Sequence, residues 1–377
     1  MGGRIKLLLL KISHLYPKEV IMSPMFVPGP VDVSPDVLQQ QTRAMMPHRS
    51  KDFEAIFQRA ADKLRQIFFT QYRIFIMTNS GSGAQESAVR NLAKERVLNC
   101  VNGSFAKRWY DVSIANGKLA DKVEVPMGQA ILPEMVEEAL KKQKYELITI
   151  VHNETSTGVQ NPVKEIAEVV HRVSPDTLIA VDAVSSLAGT RIEMDDWGLD
   201  VLFTSSQKCL GLPPGIALVG VNDRAMARAA EVPFRGWYFD YLLLEKHRLK
   251  DTTPMTPAMS LIFALDYQID RMLSEGIENR FARHSAMARF SQEWATKKGW
   301  PLFAPEGYRS QTITVVVNPP TFDCAEFNKF VGPRNLRLAN GYGDLKGKTF
   351  RIAHMAEIQM SDLENLLGGI DEFMVGK

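Results

Sequence analysis

ELITIVHNETSTGVQNPVKEIAEVVHRVSPDTLIAVDAV (146–184) decides the fold. It opens on a strand that is apolar along its length, ELITIVHN (146–153). It closes on a second, TLIAVDAV (177–184), and PVKEIAEVVHRV (162–173) between them reads as a helix. Strands that are apolar throughout are buried on both faces, and a helix joining two of them is a parallel crossover. The same alternation continues outward. RIFIMT (73–78), VLNCVN (97–102), KVEVP (122–126), DVLFTSS (200–206) and GIALVGV (215–221) read as strands. AQESAVRNLA (84–93), AKRWYDVSIA (106–115) and PEMVEEALKKQ (133–143) read as helices. The class is α/β, a mainly parallel sheet covered on both faces. PMTPAMSLIFALDYQIDRMLSEG (254–276) reads as a long helix leaving it. A smaller α+β unit follows, with strands TITVVVN (312–318) and TFRIAHM (349–355).

The totals narrow the function. With 377 residues the chain suits one large α/β domain and a smaller one. Hydrophobic residues make up 45% and charged residues 23%, as in a globular protein without a membrane span. The net charge of +2 and the lack of a basic stripe point away from nucleic acid. Cys100, Cys209 and Cys324 are few, odd in number and widely spaced, which fits a reducing, cytoplasmic setting. The apolar run Leu7–Leu10 is shorter than a signal-peptide core, and Lys6 stands where a myristoylation motif needs Ser or Thr. Residues 1–25 are expected to be an N-terminal extension, either peripheral or the product of a start upstream of Met22 or Met25.

Ligands on parallel sheets bind beyond the carboxyl ends of the strands, so the residues there carry the chemistry. Strand 73–78 runs into TNSGSGAQESAVRN. Small residues at a helix start leave backbone N–H groups and the helix dipole open to an anion such as phosphate. A plain turn capped by Ser82 would look the same. Asp182 interrupts an apolar strand, and a buried carboxylate needs a donor or a cation. It serves either a backbone turn or arginine, or a protonated ring nitrogen. FTSSQKCLGLPPG (203–215) places Lys208 at a strand end among small residues, with no acidic neighbour in the stretch. Such an amine is either a surface lysine or a desolvated one of lowered pKa, fit for a Schiff base. Phosphate cradle, aspartate and lysine, in that order, are the three protein parts that pyridoxal phosphate needs.

Those three stretches sit within a longer set: FVPGPVDV (26–33), PHRSKDF (47–53), NSGSGAQESAVRN (79–91), VNGSFAKRW (101–109), HNETSTGV (152–159), VDAVSSLAG (181–189), SSQKCLGLPPGIAL (205–218), TTPMTP (252–257) and FRIAHM (350–355). The set resembles the class V aminotransferases of pyridoxal-phosphate fold type I, in particular the alanine–glyoxylate and serine–pyruvate group. The resemblance implies a seven-stranded large domain over 26–265 and a small C-terminal domain over 266–377. It implies pyridoxal 5′-phosphate held on Lys208, with Asp182 on the ring nitrogen. Ser82, Gly83, Ala84 and Gln207 would surround the phosphate, although Ala84 replaces a residue that supplies a contact in some relatives. Phe105 and Val184 would pack on the two ring faces and Thr155 near the ring hydroxyl. Arg351 would clamp the substrate carboxylate, and Thr252 or Thr253 would reach the phosphate of a neighbouring subunit in a homodimer.

The substrates implied are a small amino acid, serine or alanine, and a 2-oxo acid, glyoxylate or pyruvate. Phosphoserine aminotransferase activity is an alternative, with Arg43, His48 and Arg49 as cations for a substrate phosphate. A cysteine desulfurase needs a nucleophilic cysteine on a mobile loop, and Cys324 is the candidate, although FDCAEFNKF reads as a helix start. His48 and Arg49 either line the substrate entrance or pair locally with Asp52 or Glu54. His354 reads as packing, and RGWYFDY (235–241) as an exposed loop facing a partner.

Overall fold

Seven strands, nearly all apolar, come together in one sheet in this computed structural model, which describes residues 24–375. They are β1 (Arg73–Met77), β2 (Arg96–Val101), β3 (Leu119–Glu124), β4 (Leu147–Val151), β5 (Leu178–Asp182), β6 (Val201–Ser205) and β7 (Ala217–Val221). Their order across the sheet is β1-β7-β6-β5-β4-β2-β3. Neighbours from β6 to β3 pair in parallel, and β7 runs antiparallel to both β1 and β6. The central strands β4 to β7 are buried at every residue, as two covered faces require, while the edge strand β3 is largely exposed. Register aligns the informative ends: Val151 of β4 lies opposite Asp182 of β5, which lies opposite Phe203 of β6.

Helix α1 (Lys51–Phe68) is capped by Ser50, whose Oγ accepts from Phe53 N, and it buries Phe53, Ile56, Phe57 and Leu64. It packs on a later helix, as the Phe53 and Phe263 rings 6.4 Å apart show. Helix α2 is Gly81–Leu92 and α3 is Ser104–Ala115. Helix α2 starts three residues earlier than the apolar pattern predicts, with Ser80 in the extended cap position. Ser82 is therefore in the first turn and not the cap. The long helix expected from residue 254 starts instead at Met259 (α4, Met259–Glu275), because Pro254 and Pro257 hold the preceding residues extended. Helix α5 (Ile277–Lys297) follows directly.

A second sheet has four strands: Met25–Phe26, then β9 (Arg337–Asn340), β10 (Thr349–Ala353) and β8 (Ile313–Val317) in spatial order. Its face packs Phe322, Phe327, Phe350 and Phe373 into one aromatic cluster. The apolar run Leu7–Leu10 and the start expected at Met22 lie outside the described residues. Among the described residues no helix is long and apolar enough to cross a membrane.

Arg280 of α5 ties the second half of the chain to the sheet. Its side chain is 1% exposed and donates to the carbonyls of Ala188 and Cys209 and to Glu275 and Glu357. Replacing it with Met leaves buried acceptors without donors. The expected loss is about 3–5 kcal/mol, read as a fall in the urea midpoint. A loss no larger than the about 0.5 kcal/mol of a surface substitution would contradict that role.

Candidate active site

The carboxyl ends of β4, β5 and β6 and the start of α2 surround a cavity of about 350 Å³. Ser82, Phe105, Thr155, Asp182, Val184, Gln207 and Lys208 all line it. So do Gly29, Gln85, Arg108, Asn153, Ser205 and Tyr342, which the sequence reading did not single out.

Lys208 is 9% exposed. Its partner is not an acid but the carbonyl oxygen of Pro28, to which Nζ donates. The segment after Phe26 wraps the lysine so closely that a Cβ on Gly29 would lie 2.7 Å from Lys208 Cδ, and Gly29 has φ +106°. Burial first, then the positive charge of Arg351, lowers the Lys208 pKa from 10.5 to about 8. A free amine is therefore present near neutral pH, which a surface lysine does not offer.

Asp182 is held by two donors. Val184 N donates to Oδ1 at 2.9 Å and Gln85 Nε2 to Oδ2 at 2.8 Å. Burial outweighs them and raises the pKa to about 6. A cationic partner in the cavity would favour the ionised form. Gln85 sits one helix turn into α2, fully buried, and its Oε1 has no partner. Ser205 Oγ and Asn153 Oδ1 are also buried without partners at the cavity wall.

Arg351 comes from β10 and is 9% exposed. Its Nε donates to Asn340 O at 2.9 Å, and its guanidinium lies 5.6 Å from the Tyr342 ring centre. Among the described residues no carboxylate pairs with it, and burial lowers its pKa to about 10. A buried, unpaired guanidinium is a site for an anion. Arg108 of α3, half-buried, places a second guanidinium at the cavity. It lies over the Phe105 ring at 4.8 Å and donates to Ser82 Oγ at 3.3 Å and Tyr342 Oη at 3.2 Å.

Glu154 orients this wall. Its carboxylate is fully buried and accepts from Phe105 N, Ala106 N, Ser156 N and Ser156 Oγ, so it caps α3 from the short strand Asn153–Glu154. That cap fixes where Phe105 and Arg108 point.

Other predicted residues lie elsewhere. The Gly83 Cα is turned toward Asn79, and Ala84 is buried in the core with its N–H bonded to Ser80 O. Neither lines the cavity. Thr253 donates to Met255 O beside Thr78 and Tyr238, and the buried Thr252 Oγ1 has no partner. Arg49 is exposed, His48 is half-buried with its Nε2 buried and without a partner, Arg43 lies over Phe263, and none of the three lines the cavity. His354 is fully buried, 3.2 Å from Thr314 Oγ1. In 235–241, Trp237 is 63% exposed, whereas Tyr241 is buried and meets Ser87, because it starts the helix Tyr241–Arg248. Cys324 is buried at the start of the helix Cys324–Val331, and burial raises its pKa to about 11. A thiol in that setting is neither mobile nor ionised.

A parallel sheet with a lysine, an acid and an open helix start at its carboxyl edge defines a class of cofactor-dependent enzyme. Comparison with known proteins places it further. The profile of the family Aminotransferase class-V matches residues 35–342, and the chain belongs to that family. An uncharacterised aminotransferase of Methanocaldococcus jannaschii is 37% identical over 88% of this chain and 87% of its own. The serine–glyoxylate aminotransferase of Arabidopsis thaliana is 30% identical over 92% of this chain and 89% of its own. The solved alanine–glyoxylate aminotransferase of Nostoc superposes with a TM-score of 0.89 at 27% identity, covering 95% of this chain and 97% of that one. The architecture is fold type I, and the family's cofactor is pyridoxal 5′-phosphate. The cavity suits that group. The first turn of α2 offers unpaired N–H groups for its phosphate, Asp182 faces in as an acceptor, and Ser205 Oγ, Asn153 Oδ1 and Gln85 Oε1 await polar partners.

Proposed function

We propose that the chain transfers the amino group of a small amino acid, serine or alanine, to glyoxylate or pyruvate. The donor becomes a 2-oxo acid and the acceptor an amino acid. The observation that carries this is the desolvated Lys208 amine on the cavity wall, with the carboxylate-free Arg351 guanidinium just behind that wall, against the lining residue Tyr342. The names of the serine–glyoxylate and alanine–glyoxylate relatives support the choice of substrates.

When bound, pyridoxal phosphate supplies an electrophilic carbon for the amino group and a ring that draws electrons from the donor Cα. Arg351 would hold the α-carboxylate with two parallel N–H bonds, which orients Cα toward Lys208. Lys208 Nζ would carry the cofactor, then take the proton from Cα as a free amine and return it elsewhere. Asp182 would accept from the protonated ring nitrogen, with Gln85 and Val184 N keeping its lone pairs aimed. Ser82, Gln207 and the free N–H groups in the first turn of α2 would hold the phosphate. Phe105 and Val184 would bracket the ring, and Thr155 would meet its hydroxyl. Thr252 or Thr253 would reach the phosphate of a second copy in a homodimer. Exposed Phe234, Trp237 and Leu249 supply an apolar surface for that contact. A division into a cofactor-binding part over 26–265 and a smaller part over 266–377 belongs to the same proposal.

The test is amino transfer by the cofactor-loaded protein from L-serine, L-alanine, L-phosphoserine, L-aspartate and L-cysteine to glyoxylate. Glycine forming fastest with serine or alanine is expected. Preference for phosphoserine would reassign the donor, and alanine released from cysteine without an acceptor would replace transfer by desulfuration.

A further inference from the structure

Tyr342 lines the cavity and meets two guanidiniums, that of Arg108 on the cavity wall and that of Arg351 behind it. It follows β9 in the loop that returns to β10, which belongs to the four-stranded sheet, yet its ring stacks on Phe105 of α3, 5.1 Å between centres and 25° between planes. Its hydroxyl accepts from Arg108, and Arg351 lies beside its ring. The loop is tightly made. A Cβ on Gly341 would lie 2.0 Å from Leu345 O. Gly341 N bonds Thr349 O at 2.8 Å, and Leu345 N bonds Tyr342 O at 3.1 Å. A side chain that is 36% exposed at a loop tip is thus fixed from three sides. It is a wall and not a free end.

The consequence concerns the donor side chain. With the α-carboxylate on Arg351, resting on the amino transfer proposed above, the donor Cα is next to the phenol ring. The whole cavity of about 350 Å³ is at the low end of the about 300–1,000 Å³ of small-molecule sites, and the cofactor takes a large part. Room for a side chain is then set by whatever stands beside Arg351. We infer that Tyr342, positioned by Arg108 and Phe105, limits the donor and the acceptor to small side chains. Donor and acceptor use the same site in turn, so the limit applies to both.

The experiment measures kcat/KM for L-alanine and L-leucine as donors, and for pyruvate and 4-methyl-2-oxopentanoate as acceptors, in wild type, Tyr342→Ala and Tyr342→Phe. One methylene in a pocket discriminates by about 10–200-fold, so Tyr342→Ala is expected to raise the leucine-to-alanine ratio by at least about 10-fold. The acceptor ratio should rise with it. Tyr342→Phe keeps the ring and loses the hydroxyl, so it is expected to hold the wild-type ratios. Binding gives a second readout: the dissociation constant of 4-methyl-2-oxopentanoate for the cofactor-loaded protein, from thermal shifts, should fall in Tyr342→Ala alone. Unchanged ratios and an unchanged constant in a folded Tyr342→Ala protein overturn the inference. A wild-type protein that transfers no amino group from any donor overturns the aminotransferase assignment itself, and the size limit with it.

Discussion

Lys208→Ala is expected to lower turnover by at least about 10⁴-fold, with the fold intact. The substitution removes the one amine that burial holds near a pKa of 8 beside Arg351 and Asp182. Among the described residues no other lysine lines the cavity to replace it. The fold should survive because Nζ makes one bond, to Pro28 O, and its ammonium is costly to bury. The pH dependence of stability gives an independent check. The native pKa is about 8 against an ordinary 10.5, so between those values the unfolded chain binds more protons than the native one. In the cofactor-free wild type, the Lys208 contribution therefore makes stability rise with pH across that window. Urea midpoints of the alanine variant should lack that rise. A variant that still transfers amino groups would remove Lys208 from the mechanism.

Asp182→Asn is expected to lower kcat by about 10²–10⁴-fold, as for other positioned acid–base groups. Asparagine keeps the shape and can accept from Val184 N, and Gln85 can turn its amide to offer Oε1 in place of Nε2. The charge alone is lost. Burial raises the native pKa of Asp182 to about 6 from 3.8, so the native state binds more protons between those values. The Asp182 contribution in the cofactor-free protein thus falls as pH rises from 3.8 to 6, and the asparagine variant should lose that slope. Wild-type kcat in a folded Asp182→Asn protein would show that the carboxylate is structural.

The residues that could be read from the sequence are those whose signal is local. A carboxylate inside Leu178–Val184 and a lysine at the end of an apolar strand break their own surroundings, and both are at the cavity. The strands were legible because their apolar runs exceed what a half-exposed strand carries. The direction of β7 was not, since a buried strand reads the same both ways. Gln85, Arg108, Glu154 and Tyr342 were not legible either. Gln85 meets Asp182 across 97 positions, Glu154 meets Phe105 across 49, and Arg108 meets Tyr342 across 234. In its own stretch of sequence each of these side chains looks like ordinary polar surface. For Gln85 the one local hint is that it is followed by Glu86 and lies on the buried side of α2, where a long amide needs a partner.

The start of α2 shows the opposite error. Apolar periodicity places it at residue 84, because Gly81, Ser82 and Gly83 carry no hydrophobic signal. The backbone is helical there all the same. That first turn, with its unpaired N–H groups, is the part of the helix that matters for an anion.

The most direct test of the account is to reduce the cofactor-loaded protein with borohydride, digest it and locate the pyridoxyl group by mass spectrometry. The label is expected on the Lys208 side chain alone, and a Lys208→Ala protein should carry none. A label on another lysine, or a wild-type protein that takes up no pyridoxal phosphate, would contradict it.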